Sequence, residues 1–202
     1  MKRFFVTGIG TDVGKTIASA ILVEALHADY WKPIQAGDLD NTDAMKVRSL
    51  ISNSKSVIHS ESFRLSQAMS PNAAAEIDKI KMNLKDIILP ETSNTLIIEG
   101  AGGVMVPIND ECLIIDLIEK MKAEVILVAN NYLGSINHTL LSVNALRSRN
   151  IPVAGIVFNG KSAKSSEEYI LKHTGLKCLL NIEEEKTIDK NIILKYKELV
   201  QI

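Results

Sequence analysis

The amino-acid sequence predicts an α/β fold, a doubly wound and mostly parallel sheet flanked by helices. Three observations lead there. Short continuous apolar runs recur at residues 4–6, 30–32, 96–98, 125–129 and 153–158, the pattern of strands buried on both faces. Longer segments, several of helical period, separate them, as right-handed crossovers between parallel strands require. A glycine-rich turn follows the first run directly, and sheets of this kind take ligands at the carboxyl ends of their strands.

Taken in order, the first strand leads through Gly8, Gly10 and Gly14 into a helix on which Ile17, Ile21, Leu22, Ala25 and Leu26 share one face. The run at 30–32 is the weakest of the five and stops at Pro33, with Gly37 soon after. Asn41-Thr42-Asp43 opens the next helix, where either Thr42 or Asp43 suits the N-cap. Residues 52–94 are less regular, with helices expected over 73–81 and 84–89. The third strand leads into Glu99-Gly100-Ala101-Gly102-Gly103. After the fourth, a helix is expected to begin near Ile136 and carry Leu140, Val143 and Leu146. Arg147 and Arg149 near its end complement the helix dipole. The fifth strand leads into Asn159-Gly160. No repeat or linker divides the chain, so residues 1–202 are expected to form a single domain.

Composition bounds the function. With 46% apolar and 23% charged residues and a net charge of -1, the chain offers no electrostatic reason to bind nucleic acid or an anionic membrane. A small ligand is expected instead. No stretch approaches the roughly 20 apolar residues that span a bilayer, and the apolar run after Lys2 and Arg3 is too short for a signal peptide. Cys112 and Cys178 lie too far apart for a metal knuckle or a C-x-x-C pair. A cytoplasmic protein with free thiols is the expectation. His27, His59, His138 and His173 are scattered, so no imidazole cluster competes for a transition metal.

The chemistry gathers at the strand ends. The turn Gly8-Ile9-Gly10-Thr11-Asp12-Val13-Gly14-Lys15-Thr16 is one residue longer than a standard Walker A loop, which wants a glycine where Ile9 stands. Its N–H groups would cradle phosphates, Lys15 would neutralise them, and the Thr16 hydroxyl would bind Mg²⁺. Lys32, the last residue of the second strand before Pro33, would project into the same crevice. Asp43 and Glu99 would complete a set of oxygen ligands with Thr16. The helix start at Gly134, Ser135, Ile136 and Asn137 offers free N–H groups to an anion, or equally a plain cap. Asn159 offers a donor and an acceptor to a base edge, although Asn-Gly is also a common turn.

These segments, in this order, closely resemble the dethiobiotin synthetases, ATP-dependent carboxylase-cyclases of biotin synthesis. The resemblance rests on the loop from Thr7 to Thr16, on Lys32-Pro33 with Gly37, on Asn41-Thr42-Asp43-Ala44, on Glu99-Gly100-Ala101-Gly102-Gly103 and on Leu133-Gly134-Ser135-Ile136-Asn137-His138. It implies a P-loop NTPase-like domain and a ligase that carboxylates 7,8-diaminononanoate with CO₂ and closes a ureido ring through a carbamic-phosphoric anhydride, releasing ADP and phosphate. It implies Lys32, Lys15 and Thr11 as catalytic residues. ATP would be held by Asp12, Val13, Gly14, Lys15, Thr16, Ile17, Asp43, Glu99, Gly100, Ala101, Gly102, Asn159 and Gly160, and Mg²⁺ by Thr16, Asp43 and Glu99. Substrate would meet Lys32 and Ala36, with its carboxylate at Gly134, Ser135, Ile136 and Asn137 of a second subunit, so a homodimer with composite sites is implied.

The sequence departs from the family in three places. Asp12 stands where Glu is frequent, and Ala36 stands where a hydroxyl is common. Leu180-Asn181-Ile182-Glu183-Glu184 replaces a segment that usually has Ile-Pro near the adenine. The acidic run from Glu183 to Glu185 reads as a solvated face. Two other readings use a similar domain. Amidoligases of this fold need an ammonia source, for which the chain has no room. Deviant-Walker switch ATPases of the partitioning type carry a signature lysine near the loop's start, and Gly8-Ile9-Gly10 contains none.

Overall fold

In the first strand, β1 (Arg3–Gly8), successive apolar side chains point to opposite sides, and both sides are buried. Phe4 and Val6 join one core with Ile97, Ile126 and Val128, whereas Phe5 joins the other with Leu96, Ile98 and Val125. Water meets neither face, which is why the runs are continuously apolar rather than alternating.

The protein is described here by a computed structural model covering residues 2–202. After β1 come α1 (Lys15–Leu26), β2 (Asp29–Trp31), β3 (Ile34–Ala36), α2 (Asp43–Leu50), β4 (Ile58–His59), β5 (Phe63–Leu65) and α3 (Pro71–Asp78). The second half contains β6 (Leu96–Gly103), α4 (Ile114–Met121), β7 (Glu124–Asn130), α5 (Ser135–Ser148), β8 (Val153–Asn159), α6 (Lys164–Thr174), β9 (Cys178–Ile182) and α7 (Lys190–Lys197). Among the described residues the main sheet has seven strands in the order β4-β2-β6-β1-β7-β8-β9, and its pairings are parallel. The chain places β2 and β4 to one side of β1, returns with β6 between β2 and β1, and then adds β7, β8 and β9 on the other side. That reversal opens a crevice at the carboxyl end of β1. A small parallel pair, β3 with β5, stands apart as one wall of this crevice.

All five expected strands are present, with shifted ends. The third is longer than expected: β6 runs on through Gly103, because pairing with β1 continues past a register shift to Gly8 opposite Gly103. β2 stops at Trp31, leaving Lys32 just beyond it. β3, β4, β5 and β9 are additional. The expected helix over 73–81 is α3, started at Pro71 and stopped by Lys79 in the left-handed region. Over 84–89 there is only a single 3₁₀ turn, Leu84–Asp86. α5 begins one residue before Ile136. α1 is not a one-faced helix, since residues 18–24 are all buried; it packs against the sheet and against α2 and α7.

Two buried carboxylates pin loops onto this frame. Glu24 Oε2 on α1 accepts from Ser52 N at 2.7 Å, Asn53 N at 3.1 Å and Asn53 Nδ2 at 3.0 Å. Asp29, at the start of β2, accepts from Val57 N at 2.9 Å, Thr92 Oγ1 at 2.6 Å and Asn94 Nδ2 at 3.2 Å, with His59 Nε2 at 3.3 Å. Burial pushes the Asp29 carboxyl up, but the donors outweigh it and hold the group below the usual carboxylate range. The acidic run is only partly a solvated face. Glu183 and Glu184 are exposed, but Glu185 accepts from Lys195 Nζ and Tyr196 Oη, each at 2.7 Å, and ties its loop to α7.

Candidate active site

The loop between β1 and α1 depends on close backbone approach. A Cβ on Gly8 would lie 2.5 Å from Val13 Cγ2 and 2.7 Å from the Gly10 carbonyl oxygen, so no side chain fits there. Asp12 and Gly14 take left-handed φ values of 56° and 93°, a region that glycine occupies freely and aspartate tolerates. These turns bring the start of α1 to the crevice. Lys15 folds back over the loop and donates to Gly10 O at 3.0 Å. Burial pulls its pKa down, and the neighbouring Lys32 charge adds to this against the opposing carboxylates.

Three oxygen-bearing side chains converge beside Lys15. Thr16 Oγ1 lies 3.0 Å from Asp43 Oδ1 and 2.9 Å from Glu99 Oε1. Thr16 comes from the first turn of α1, Asp43 from the first turn of α2, and Glu99 from β6. Thr42 takes the capping role at α2 and accepts from Met45 N at 3.2 Å, which leaves the Asp43 carboxylate to the cleft. The side chain of Gln35 braces the same helix start. Its Oε1 accepts from Asp43 N at 3.2 Å while its Nε2 donates to Gly37 O at 2.9 Å.

Lys32 joins the two carboxylates. Its ammonium donates to Asp43 Oδ2 and, at 3.0 Å, to Glu99 Oε1. Burial alone would pull the Lys32 pKa down, but the Glu99 and Asp43 charges outweigh it and raise the group above the ordinary lysine value. For Asp43, burial raises the pKa, and the charge and hydrogen bond of Lys32 with the Thr16 hydroxyl bring it below the usual range. Tyr30 Oη donates to the other oxygen of Glu99, Oε2, at 2.9 Å.

The donor set fits a hard divalent cation. A hydroxyl within 3.0 Å of each of two carboxylates, next to a phosphate-type loop, suits Mg²⁺, which takes few protein oxygens and fills its octahedron with water and phosphate. Among the described residues there is no cluster of three His, Cys, Asp or Glu that would suit another metal.

A cleft of about 820 Å³ runs along these groups. It brings together Thr11, Asp12, Gly14, Lys15, Thr16, Ile17, Lys32, Ala36, Asp43, Glu99, Ala101 and Gly102 from the sequence reading. Val13 instead lies in the core, and Gly100 packs its backbone against the Phe5 ring. Asn159 sits across the loop, its Nδ2 donating to Val13 O at 3.1 Å, and it packs so closely that a Cβ on Gly14 would fall 2.2 Å from that nitrogen. Gly160 follows Asn159 at the end of β8. Gly134, Ser135, Ile136 and Asn137 form the start of α5 outside the cleft lining. Leu133 beside them is fully exposed and Tyr132 is 42% exposed.

The sequence reading missed Gln35, Lys46, the 68–71 wall and Tyr30. Gln35 lies in the very segment singled out for Lys32, and Lys46 is one helical turn beyond Asp43, 3.7 Å from its Oδ1. Ala68, Met69, Ser70 and Pro71 come from the irregular stretch and carry no signal in sequence, because the β3–β5 pair is what brings them across the cleft.

Comparison with known proteins agrees with this geometry. A family model described as an AAA domain matches residues 2–191. An ATP-dependent dethiobiotin synthetase BioD from Cytophaga hutchinsonii is 54% identical over 197 residues, covering 97% of this chain and 95% of the relative. The protein of the same name from Christiangramia forsetii is also 54% identical over 197 residues, with 98% and 95% covered. Among solved structures, the cell division ATPase MinD of Pyrococcus furiosus superposes with a TM-score of 0.60 at 14% identity, covering 98% of each chain, a likeness of fold alone. With these two relatives matched at more than half identity along nearly their whole length, this chain belongs to the dethiobiotin synthetase family.

Proposed function

We propose that this chain carboxylates 7,8-diaminononanoate with CO₂ and closes the ureido ring of dethiobiotin at the expense of ATP. One observation carries the reading: the Lys32 ammonium, buried between two carboxylates, sits in the same cleft as the phosphate loop. Family membership supports the overall activity, that of an ATP-dependent ligase forming C–N bonds.

The steps follow from charge. One amine takes up CO₂ and loses a proton, giving a carbamate. A carbamate oxygen attacks the γ-phosphorus, the bond to the β-bridging oxygen breaks, and ADP leaves. The second amine then attacks the carbamate carbon and gives up a proton, the C–O bond to phosphate breaks, and the ring closes as phosphate departs. Bringing an anionic carbamate to an anionic phosphate is mainly a problem of positioning and neutralisation. Lys15 and Lys32 supply positive charge from two sides, and the Thr11 hydroxyl supplies a donor at the loop. Thr16, Asp43 and Glu99 would hold Mg²⁺, which when bound screens the phosphate oxygens. Asn159 and Gly160, at the end of β8 beside the loop, would meet the base, and Ala36 with Ile34, Met69 and Val106 offers an apolar wall for the aliphatic chain.

An anionic substrate carboxylate is well held by the free N–H groups of a helix start. We assign that role to the start of α5 in a second copy of the chain, at Gly134, Ser135, Ile136 and Asn137, making a homodimer with shared sites. The place of action is the cytoplasm, consistent with free Cys112 and Cys178; none of the described helices is long and apolar enough to cross a membrane. To test the reading, purified protein is given ATP, Mg²⁺, bicarbonate and the diamine, and ADP and ureido product are measured together. One ADP per ring is expected. ADP formation indifferent to the diamine would instead match a switch ATPase.

A further inference from the structure

Glu99 is the only member of the metal-binding set whose side chain is fully buried, and its two oxygens face different surroundings. Oε1 meets Thr16 at 2.9 Å and Lys32 at 3.0 Å, in the cleft. Oε2 points the other way and receives a 2.9 Å hydrogen bond from Tyr30 Oη, whose residue is also fully buried. Asp43, by contrast, turns both oxygens to the site, with Oδ1 at Thr16 and Oδ2 at Lys32.

The pairing of strands explains this contact. Tyr30 stands directly opposite Ile97 in the parallel pair of β2 and β6. Glu99 lies two residues beyond Ile97, hence on the same face of the sheet, at the diagonal distance an aromatic side chain can span. The phenol packs among the apolar residues of that face and reaches along it to the carboxylate. Rotation of the Glu99 carboxylate would cost Oε2 its hydrogen bond in a place without water.

We infer that Tyr30 is a positioning residue for the reaction: by holding Glu99 Oε2 it leaves Oε1 alone to face the cleft, so that Glu99 binds the divalent cation through a single oxygen of fixed direction. Removing a group that orients a metal ligand in this way typically costs about 10- to 100-fold in metal affinity or activity. The inference deepens the proposed function and rests on its metal site, not on the identity of the diamine.

Tyr30→Phe keeps the ring and removes only the hydroxyl. The direct measurement is Mn²⁺ binding, followed by electron paramagnetic resonance, to protein saturated with a non-hydrolysable ATP analogue. Affinity is expected to fall on the order of 10-fold or more, with a changed Mn²⁺ spectrum, while binding of the analogue without metal is unchanged. In turnover, the half-saturating Mg²⁺ concentration should rise by a similar factor, with a smaller change in kcat at saturating Mg²⁺. Adding Tyr30→Phe to Glu99→Gln should weaken Mn²⁺ binding little beyond Glu99→Gln alone, since the hydroxyl acts through that carboxylate. Unchanged Mn²⁺ affinity in Tyr30→Phe, or full additivity in the double variant, would overturn the assignment. Because the Mn²⁺ experiment contains no diamine, it reads Tyr30 even if the proposed substrate proves wrong.

Discussion

The Lys32 ammonium occupies the space between two carboxylates that a divalent cation also needs. Without metal, that ammonium is what makes two neighbouring buried acids tolerable. Removing one partner of a buried ionic set costs about 3–5 kcal/mol, since the remaining charges lose their compensation. Lys32→Ala is therefore expected to lower the melting temperature of the metal-free protein, and Mg²⁺ should restore more of it than in the wild type, because the cation no longer competes with a lysine. Thermal unfolding with and without Mg²⁺ checks this; an identical Mg²⁺ shift in both proteins would contradict it. Turnover in the same variant should fall on the order of a hundred-fold or more, as when a charge-stabilising donor is lost. Most of these residues were legible in the sequence because each stands at or near a strand end, where an ionisable side chain next to an apolar run has nowhere to go but the crevice. Tyr30 was not legible. Its role depends on a diagonal neighbour from another strand, 69 positions away, and register cannot be read from either segment alone.

At the scale of elements, loops at the end of the sheet opposite the cleft are held by Asp29. Its pKa is depressed in the folded protein by the donors from Thr92, Val57, Asn94 and His59. The stabilisation is therefore complete above the unfolded aspartate value of about 3.9 and is lost as pH falls through the lower folded value. Asp29→Asn should destabilise the protein by about 1–3 kcal/mol near neutral pH, and chemical denaturation at several pH values should show the gap closing only in acid. A gap independent of pH would mean that the charge plays no part. The central strands were readable because burial on both faces writes an unbroken apolar run. β3, β4 and β5 have two or three residues each, too short for any period to emerge. β9 is an edge strand with exposed Asn181 between buried Leu180 and Ile182, which breaks the run. The 84–89 segment has helix-forming residues, but tertiary contacts hold it to one turn: Lys120 donates to the carbonyls of Leu84 and Ile87.

For the whole molecule, the sheet reverses its direction of growth at β1 and so gathers the loop, Lys32, Asp43 and Glu99 into one cleft. The start of α5 stands outside that cleft, with Leu133 and Tyr132 exposed beside it. If a second subunit supplies this segment, two different inactive chains can repair one another. Mixing Lys32→Ala with Asn137→Asp, whose new charge would repel the substrate carboxylate, should restore roughly a quarter of wild-type activity, because half the random dimers are mixed and each has one intact site. No recovery in mixed dimers would place each site within a single chain. The central claim is transfer of phosphate to a carbamate oxygen in this cleft. Its most direct test is a single turnover with ¹⁸O-labelled CO₂, quenched before the label exchanges with water, and mass analysis of the released phosphate. The account predicts one labelled oxygen in each phosphate; phosphate free of label would mean that water, not carbamate, attacks ATP.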